Sequence, residues 1–161
     1  MEGDENLKSN KLCCTFAGHR SIVERIDDRV YDCVLDLVVN KNISCFYVGN
    51  NGDFDKLCSQ TVRRIKREFK EKDIKLYLVI PKMSTTISNN REYYEEMYDE
   101  IIIPSKSDAA HYKAMITIRN KWMVENSDYI VTYIKTEYGG AYNTYKYAQK
   151  QDIVIIDLVN N

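Results

Sequence analysis

No apolar run in this chain approaches the ~20 residues that a membrane-spanning helix requires. Charge of one sign is also missing, since 23 Lys and Arg face 24 Asp and Glu for a formal net charge of −1. Proteins dedicated to nucleic acid ordinarily carry a basic footprint, so this balance argues against a nucleic-acid partner, a local basic patch aside. Histidine is scarce, with only His19 and His111, and none of the five cysteines forms a Cys-x-x-Cys pair. That excludes a structural zinc site, and neither a metal nor a resident cofactor is expected. The odd number of thiols in apolar surroundings reads as reduced, buried side chains of a cytoplasmic protein. Residues 1–10 are polar and acidic, lack the apolar core of a secretory signal and are expected to be a flexible N-terminal segment. Repeats, linkers and low-complexity stretches are absent, so residues 11–161 read as one domain. A chain of 161 residues is long enough to bury roughly 70% of its unfolded surface without staples.

What is present is an alternation of two periodicities. Short apolar runs at 12–16, 44–48, 76–80, 100–103, 129–134 and 153–158 predict six strands, several closed by Gly or Pro. Between them, three- and four-residue apolar spacing predicts helices at 22–39, 54–69, 109–126 and 141–150, with a short Tyr-rich helical turn at 92–98. The polar stretch 82–90 lacks periodicity and predicts a loop. Met115, Ile118, Trp122 and Met123 are core candidates of the 109–126 helix, and the basic run 63–72 is expected to be a solvated helix face. Strands that read as continuous Val/Ile/Leu runs, each followed by a helix, predict an α/β fold. Its architecture would be a doubly wound, mostly parallel sheet with helices on both faces.

In such sheets ligands bind at the carboxyl ends of the strands, and small and polar residues collect there in this chain. The first strand is followed by Ala17-Gly18-His19-Arg20-Ser21, the second by Gly49-Asn50-Asn51-Gly52-Asp53-Phe54-Asp55, and the fifth by Glu137-Tyr138-Gly139-Gly140-Ala141-Tyr142-Asn143-Thr144. Gly139 and Gly140 open a helix whose first-turn amides attract phosphate, and Asn143 and Thr144 add side-chain donors. Arg20 is suited to clamp a phosphate or carboxylate, and His19 to donate a hydrogen bond or stack on a base. Asp55 is placed to accept from a ribose, and Asp53 to cap the second helix. Arg119 reaches the same rim if its helix points upward. The 13 tyrosines could stack on bases or supply a dimer interface. No Ser-His-Asp or Cys-His set stands out, and Glu137 is the only carboxylate beside the glycine turn. The catalytic residues, if any, are unassigned.

Phe16-Ala17-Gly18-His19-Arg20 resembles the F-x-G-H-R opening of the SLOG superfamily (Smf/DprA–LOG), in particular its small stand-alone Rossmann-like bacterial members. The resemblance continues through 49–55, through Arg119-Asn120-Lys121-Trp122-Met123-Val124-Glu125-Asn126-Ser127-Asp128 and through residues 139–148, in the family's order. It implies a Rossmann-like domain binding a nucleotide or nucleotide-derived ligand, such as an ADP-ribose-type signal, at the strand ends. Phosphoribohydrolase relatives carry a Pro-Gly-Gly-x-Gly-Thr turn followed by a catalytic Glu. Here Gly139, Gly140 and Thr144 match, Arg119 matches the ligand-proximal Arg, and Tyr147 or Lys146 stands where the Glu belongs. The resemblance therefore implies binding of Gly18, His19, Arg20, Gly49, Gly52, Asp55, Arg119, Gly139, Gly140, Ala141, Asn143 and Thr144 to a nucleotide-type small molecule, without catalysis. Two alternatives are an N-glycosidase using Glu137 and an oligomeric interaction module with a vestigial pocket. A homo-oligomer is expected in each case.

Overall fold

The computed structural model describes residues 11–104 and 111–160; the expected flexible segment 1–10 and the start of the helix predicted at 109 lie outside the described residues. Six strands, β1 (Leu12–Gly18), β2 (Ile43–Val48), β3 (Lys75–Val79), β4 (Glu100–Ile102), β5 (Tyr129–Tyr133) and β6 (Val154–Asp157), form one sheet in the order β4-β3-β2-β1-β5-β6. Every neighbouring pair is parallel. The chain builds outward from β1 to β4 on one side, then returns to lay β5 against the other side of β1. The junction of β1 and β5, with Cys14 opposite Tyr129 and Gly18 opposite Tyr133, is thus the point where strand order reverses. This is the doubly wound α/β fold that the alternation predicts, with all of its pairings parallel.

Helices α1 (Asp27–Asn40) and α2 (Asp53–Glu68) cover one face, and α5 (Tyr112–Glu125) and α6 (Gly140–Gln149) the other. Residues of β1 alternate between these layers. Cys14 and Phe16 join the large core with Val30, Leu37, Phe54 and Val62, while Ala17 packs with Val124, Ile130 and Ala148. Burying a Phe or Leu side chain contributes roughly 1.5–3 kcal/mol, so the α1–α2 layer, with Phe16, Phe46 and Phe54 in contact, anchors the fold. The five cysteines are free thiols, and three of them are buried.

Three local expectations change. Residues 22–26 carry helical spacing but are not helical, because tertiary bonds hold them open: the Ile22 N–H donates to Asp53 Oδ2 at 2.9 Å, and Glu24 accepts from Tyr133 Oη and pairs with Arg29 and Lys135. The stretch predicted as a loop contains a short helix, α3 (Thr85–Asn89), followed by α4 (Arg91–Met97). Ser84 caps α3 by accepting the Ile87 N–H, and Ile87 is its single buried anchor, against Leu78 and Ile80. In α5, Ile118 is 41% exposed and Arg119 is only 2% exposed. The inward row is Met115, Arg119 and Met123 at four-residue steps, while Trp122 is half-buried with its ring edge-on to Tyr47. Among the described residues no helix is long and apolar enough to cross a membrane.

Candidate functional site

The loops after β1, β2 and β5 meet above the switch point around a cleft of about 530 Å³. Gly18, His19, Arg20, Asp55, Arg119, Gly139, Gly140, Ala141 and Thr144 line it, joined by Phe16, Ala17, Ser21, Asn51, Ile116, Asn120, Met123, Lys135, Thr136 and Tyr138. Of the residues singled out in the sequence, Gly49, Gly52 and Asn143 do not. Lys135 and Tyr138 were within reach of sequence reasoning, since both stand in the β5–α6 loop. Ile116 and Met123 were not, because their facing depends on how α5 lies across the sheet.

Gly52 shapes the wall of the cleft instead of contacting its interior. It has φ +102°, and a Cβ there would overlap Arg20 Cα, so only glycine admits the approach of the β1–α1 loop. That loop consumes the first amides of α2: Asp53 N–H donates to Arg20 O at 2.8 Å and Phe54 N–H to His19 O at 3.3 Å. The expected cap does not form, because the Asp53 side chain takes the Ile22 N–H and makes no cap bond to α2. Gly49 leaves room for two side chains, since a Cβ would lie 2.8 Å from Asp55 Oδ2 and 3.1 Å from Arg119 Nη1.

The start of α6 differs from that of α2. Its N-cap, Gly139, has φ +96° and no side chain caps the helix. The first amide of the segment bonded back within the chain is that of Asn143, to Gly139 O. The N–H groups of Gly140, Ala141 and Tyr142 therefore point outward unpaired among the described residues, as the first amides of a helix do. A Cβ built on Gly140 meets nothing within 4 Å. The Thr144 hydroxyl, predicted as a ligand donor, donates to Gly140 O at 2.9 Å and so braces the turn.

Arg119 enters from α5. Its Nε donates to Asn120 Oδ1 at 2.8 Å, and Nη1 to Val79 O at 3.1 Å and to Asn50 Oδ1 at 3.4 Å. Nη2 has no partner among the described residues. Among the described residues no buried side-chain nitrogen or oxygen lacks one, and Arg119 lines the cleft, so this edge of the guanidinium opens on it. Burial holds Arg119 below the ordinary arginine value, with the Asp55 carboxylate opposing that shift. Burial likewise pushes the Asp55 carboxyl up to about 6, against the pull of the Asn51 N–H and of Arg119 and Arg20. Arg20 is exposed at the rim, and its guanidinium has no partner among the described residues.

His19 is partly committed elsewhere. Its Nε2 accepts the Lys135 N–H at 2.7 Å, and its ring stands edge-on to Tyr133, so it fastens the β1–α1 loop to the β5–α6 loop. Glu137 is not in the cleft. It lines a separate depression with Tyr142, Tyr145 and Asp157, which removes the geometry that a Glu137-based glycosidase requires. Among the described residues no group of three or more His, Cys, Asp or Glu side chains could hold a metal ion.

No protein-family model matches this chain, and no curated protein matches it in sequence. Solved structures do. The X-ray structure of DNA processing protein A (DprA) from Streptococcus pneumoniae superposes with a TM-score of 0.67 at 12% identity, covering 91% of this chain and 50% of that one. The fold is that of DprA. A second DprA, from Helicobacter pylori, matches with a TM-score of 0.65 at 15% identity, over 91% of this chain and 64% of that one. This chain thus spans between half and two thirds of the DprA chains it matches, and at these identities the likeness carries the fold. It also overturns one expectation. The H. pylori protein is described for its single-stranded DNA binding mode, so the argument from net charge against a nucleic-acid partner does not stand for this fold.

Proposed function

We propose that the cleft binds a nucleotide or nucleotide-derived ligand through its phosphate, with the unpaired amides of Gly140, Ala141 and Tyr142 as the anion cradle. The observation that carries this reading is the pairing of an uncapped ten-residue helix with the partnerless Nη2 edge of Arg119 in one cleft. Helix N-termini concentrate positive partial charge and outward N–H groups, and a guanidinium edge adds charge-assisted donors. Arg20 closes the phosphate side, the ribose lies toward Asp55, and the base lies against Tyr138, which is 75% exposed, and the free edge of His19. Ligands of this chemistry include free nucleotides, ADP-ribose-type signals and, given the H. pylori DprA likeness, a nucleotide unit of single-stranded DNA.

Calorimetric titration with mononucleotides, ADP-ribose and a short oligodeoxynucleotide tests the reading. At least one should bind, and Gly140→Val should weaken it tenfold or more without lowering Tm, because the new side chain meets open space and not protein. No binding across the panel, or full binding by Gly140→Val, would sink the proposal.

A further inference from the structure

Beyond the β2–α2 loop lies a further depression, of about 390 Å³, between α2 and α4. It shares Asp55 with the cleft, and Asn50, which lines it, accepts from Arg119. Its wall is aromatic and held in place. Ser59, 2% exposed, donates to Tyr98 Oη at 3.0 Å and accepts from Arg63 Nη1 at 2.6 Å. The Arg63 guanidinium also lies 5.6 Å from the Tyr98 ring centroid. Tyr94 stacks on Tyr98 at 6.3 Å, 14° from parallel, and Tyr93 meets Tyr94 edge-on. Tyr94 and Tyr98 also pack against Leu78, Ile80 and Ile87, which accounts for those two rings by core packing. Tyr93 has no such role among the described residues: it belongs to none of their hydrophobic clusters and is 55% exposed. Lys56 and Arg63 stand at the same groove, so it presents an exposed aromatic ring and two cations beside the cleft.

We infer that the α2–α4 groove is a second nucleobase subsite, with Tyr93 as its stacking platform and Lys56 and Arg63 on the linking phosphate. The inference rests on the cleft's binding a first nucleotide. Base–aromatic stacking tolerates any base because each presents a π-face, and an arginine beside the ring adds a cation for the backbone. The ligand class is therefore one with two bases joined through phosphate, whether a free dinucleotide or two consecutive units of a single strand.

Fluorescence or calorimetric titrations should compare a 5′-phosphorylated dinucleotide, the matching mononucleotide and an oligonucleotide containing the same step. The dinucleotide should bind about tenfold or more tightly than the mononucleotide. Tyr93→Ala should erase that gain while leaving mononucleotide affinity unchanged, and Tyr93→Trp should restore it. An oligonucleotide gain well beyond that of the dinucleotide identifies a strand as the source, and equal gains identify the dinucleotide; either supports the subsite. Equal affinity for mononucleotide and dinucleotide, or a Tyr93→Ala loss shared by both, overturns the subsite and leaves the cleft reading intact. Failure of every ligand to bind overturns both.

Discussion

At the scale of single residues, Asp55 is the most informative. Its carboxyl is pushed by burial to about 6 from an ordinary 3.8, so between those values the folded protein holds a proton that the unfolded chain has released. Stability must fall as pH rises through that window, because the folded state is then the one binding more protons. Asp55→Asn keeps an acceptor for the Asn51 N–H and removes the buried charge. It should be more stable than the parent above pH 6, by about 3 kcal/mol, and converge with it below pH 4. Urea titrations at pH 4 and pH 7 check this, and a gap independent of pH would refute it. Arg119 makes the complementary point. An arginine in the middle of a helix is ordinarily a surface residue, yet this one is 2% exposed because Val79 O, Asn50 and Asn120 receive its donors.

At the scale of elements, the cleft depends on how its loops are fastened. The β1–α1 loop is tied to α2 by the Asp53 and Phe54 amides and to the β5–α6 loop by His19, Glu24 and Lys135. His19→Phe keeps a ring against Tyr133 and deletes the acceptor for the Lys135 N–H. It should cost about 0.5–1.5 kcal/mol through the lost hydrogen bond and speed hydrogen exchange at Lys135 selectively. Unchanged exchange there would show that the latch does not hold the loop. The same fastening explains why residues 22–26 are not helical despite Ile22 and Ile26 at helical spacing: the Ile22 amide has a better partner in Asp53. Helix α3 was hidden for a different reason. A five-residue helix with one buried side chain has no periodicity to read.

For the whole molecule, the near-zero net charge is no argument about partners, because recognition depends on where cations sit and not on their sum. Two arginines, Arg20 and Arg119, face the cleft. If they are the phosphate contacts for a single strand, log K against log salt should have a slope of about −1 to −2, at roughly −0.7 per neutralised phosphate. Binding measured from 50 to 300 mM salt decides this. A flat dependence would remove the arginines from phosphate binding, and a slope beyond about −4 would require a basic track that the cleft alone does not provide. The loss of Glu137 from the cleft belongs to this scale too. Standing two residues before Gly139 in sequence, it falls on the opposite side of the β5–α6 loop.

The sequence by itself determined the order of strands and helices, the parallel sheet that such alternation imposes, and the glycine-rich loops at the strand ends, since each follows from local periodicity and short-range steric rules. Only the tertiary structure decided that β5 lies against β1, which amides remain unpaired at α6, and that Arg119 turns inward while Ile118 does not. Those outcomes depend on partners far away along the chain, and a hydrogen bond such as that from Lys135 N–H to His19, 116 residues apart, leaves no local pattern to read.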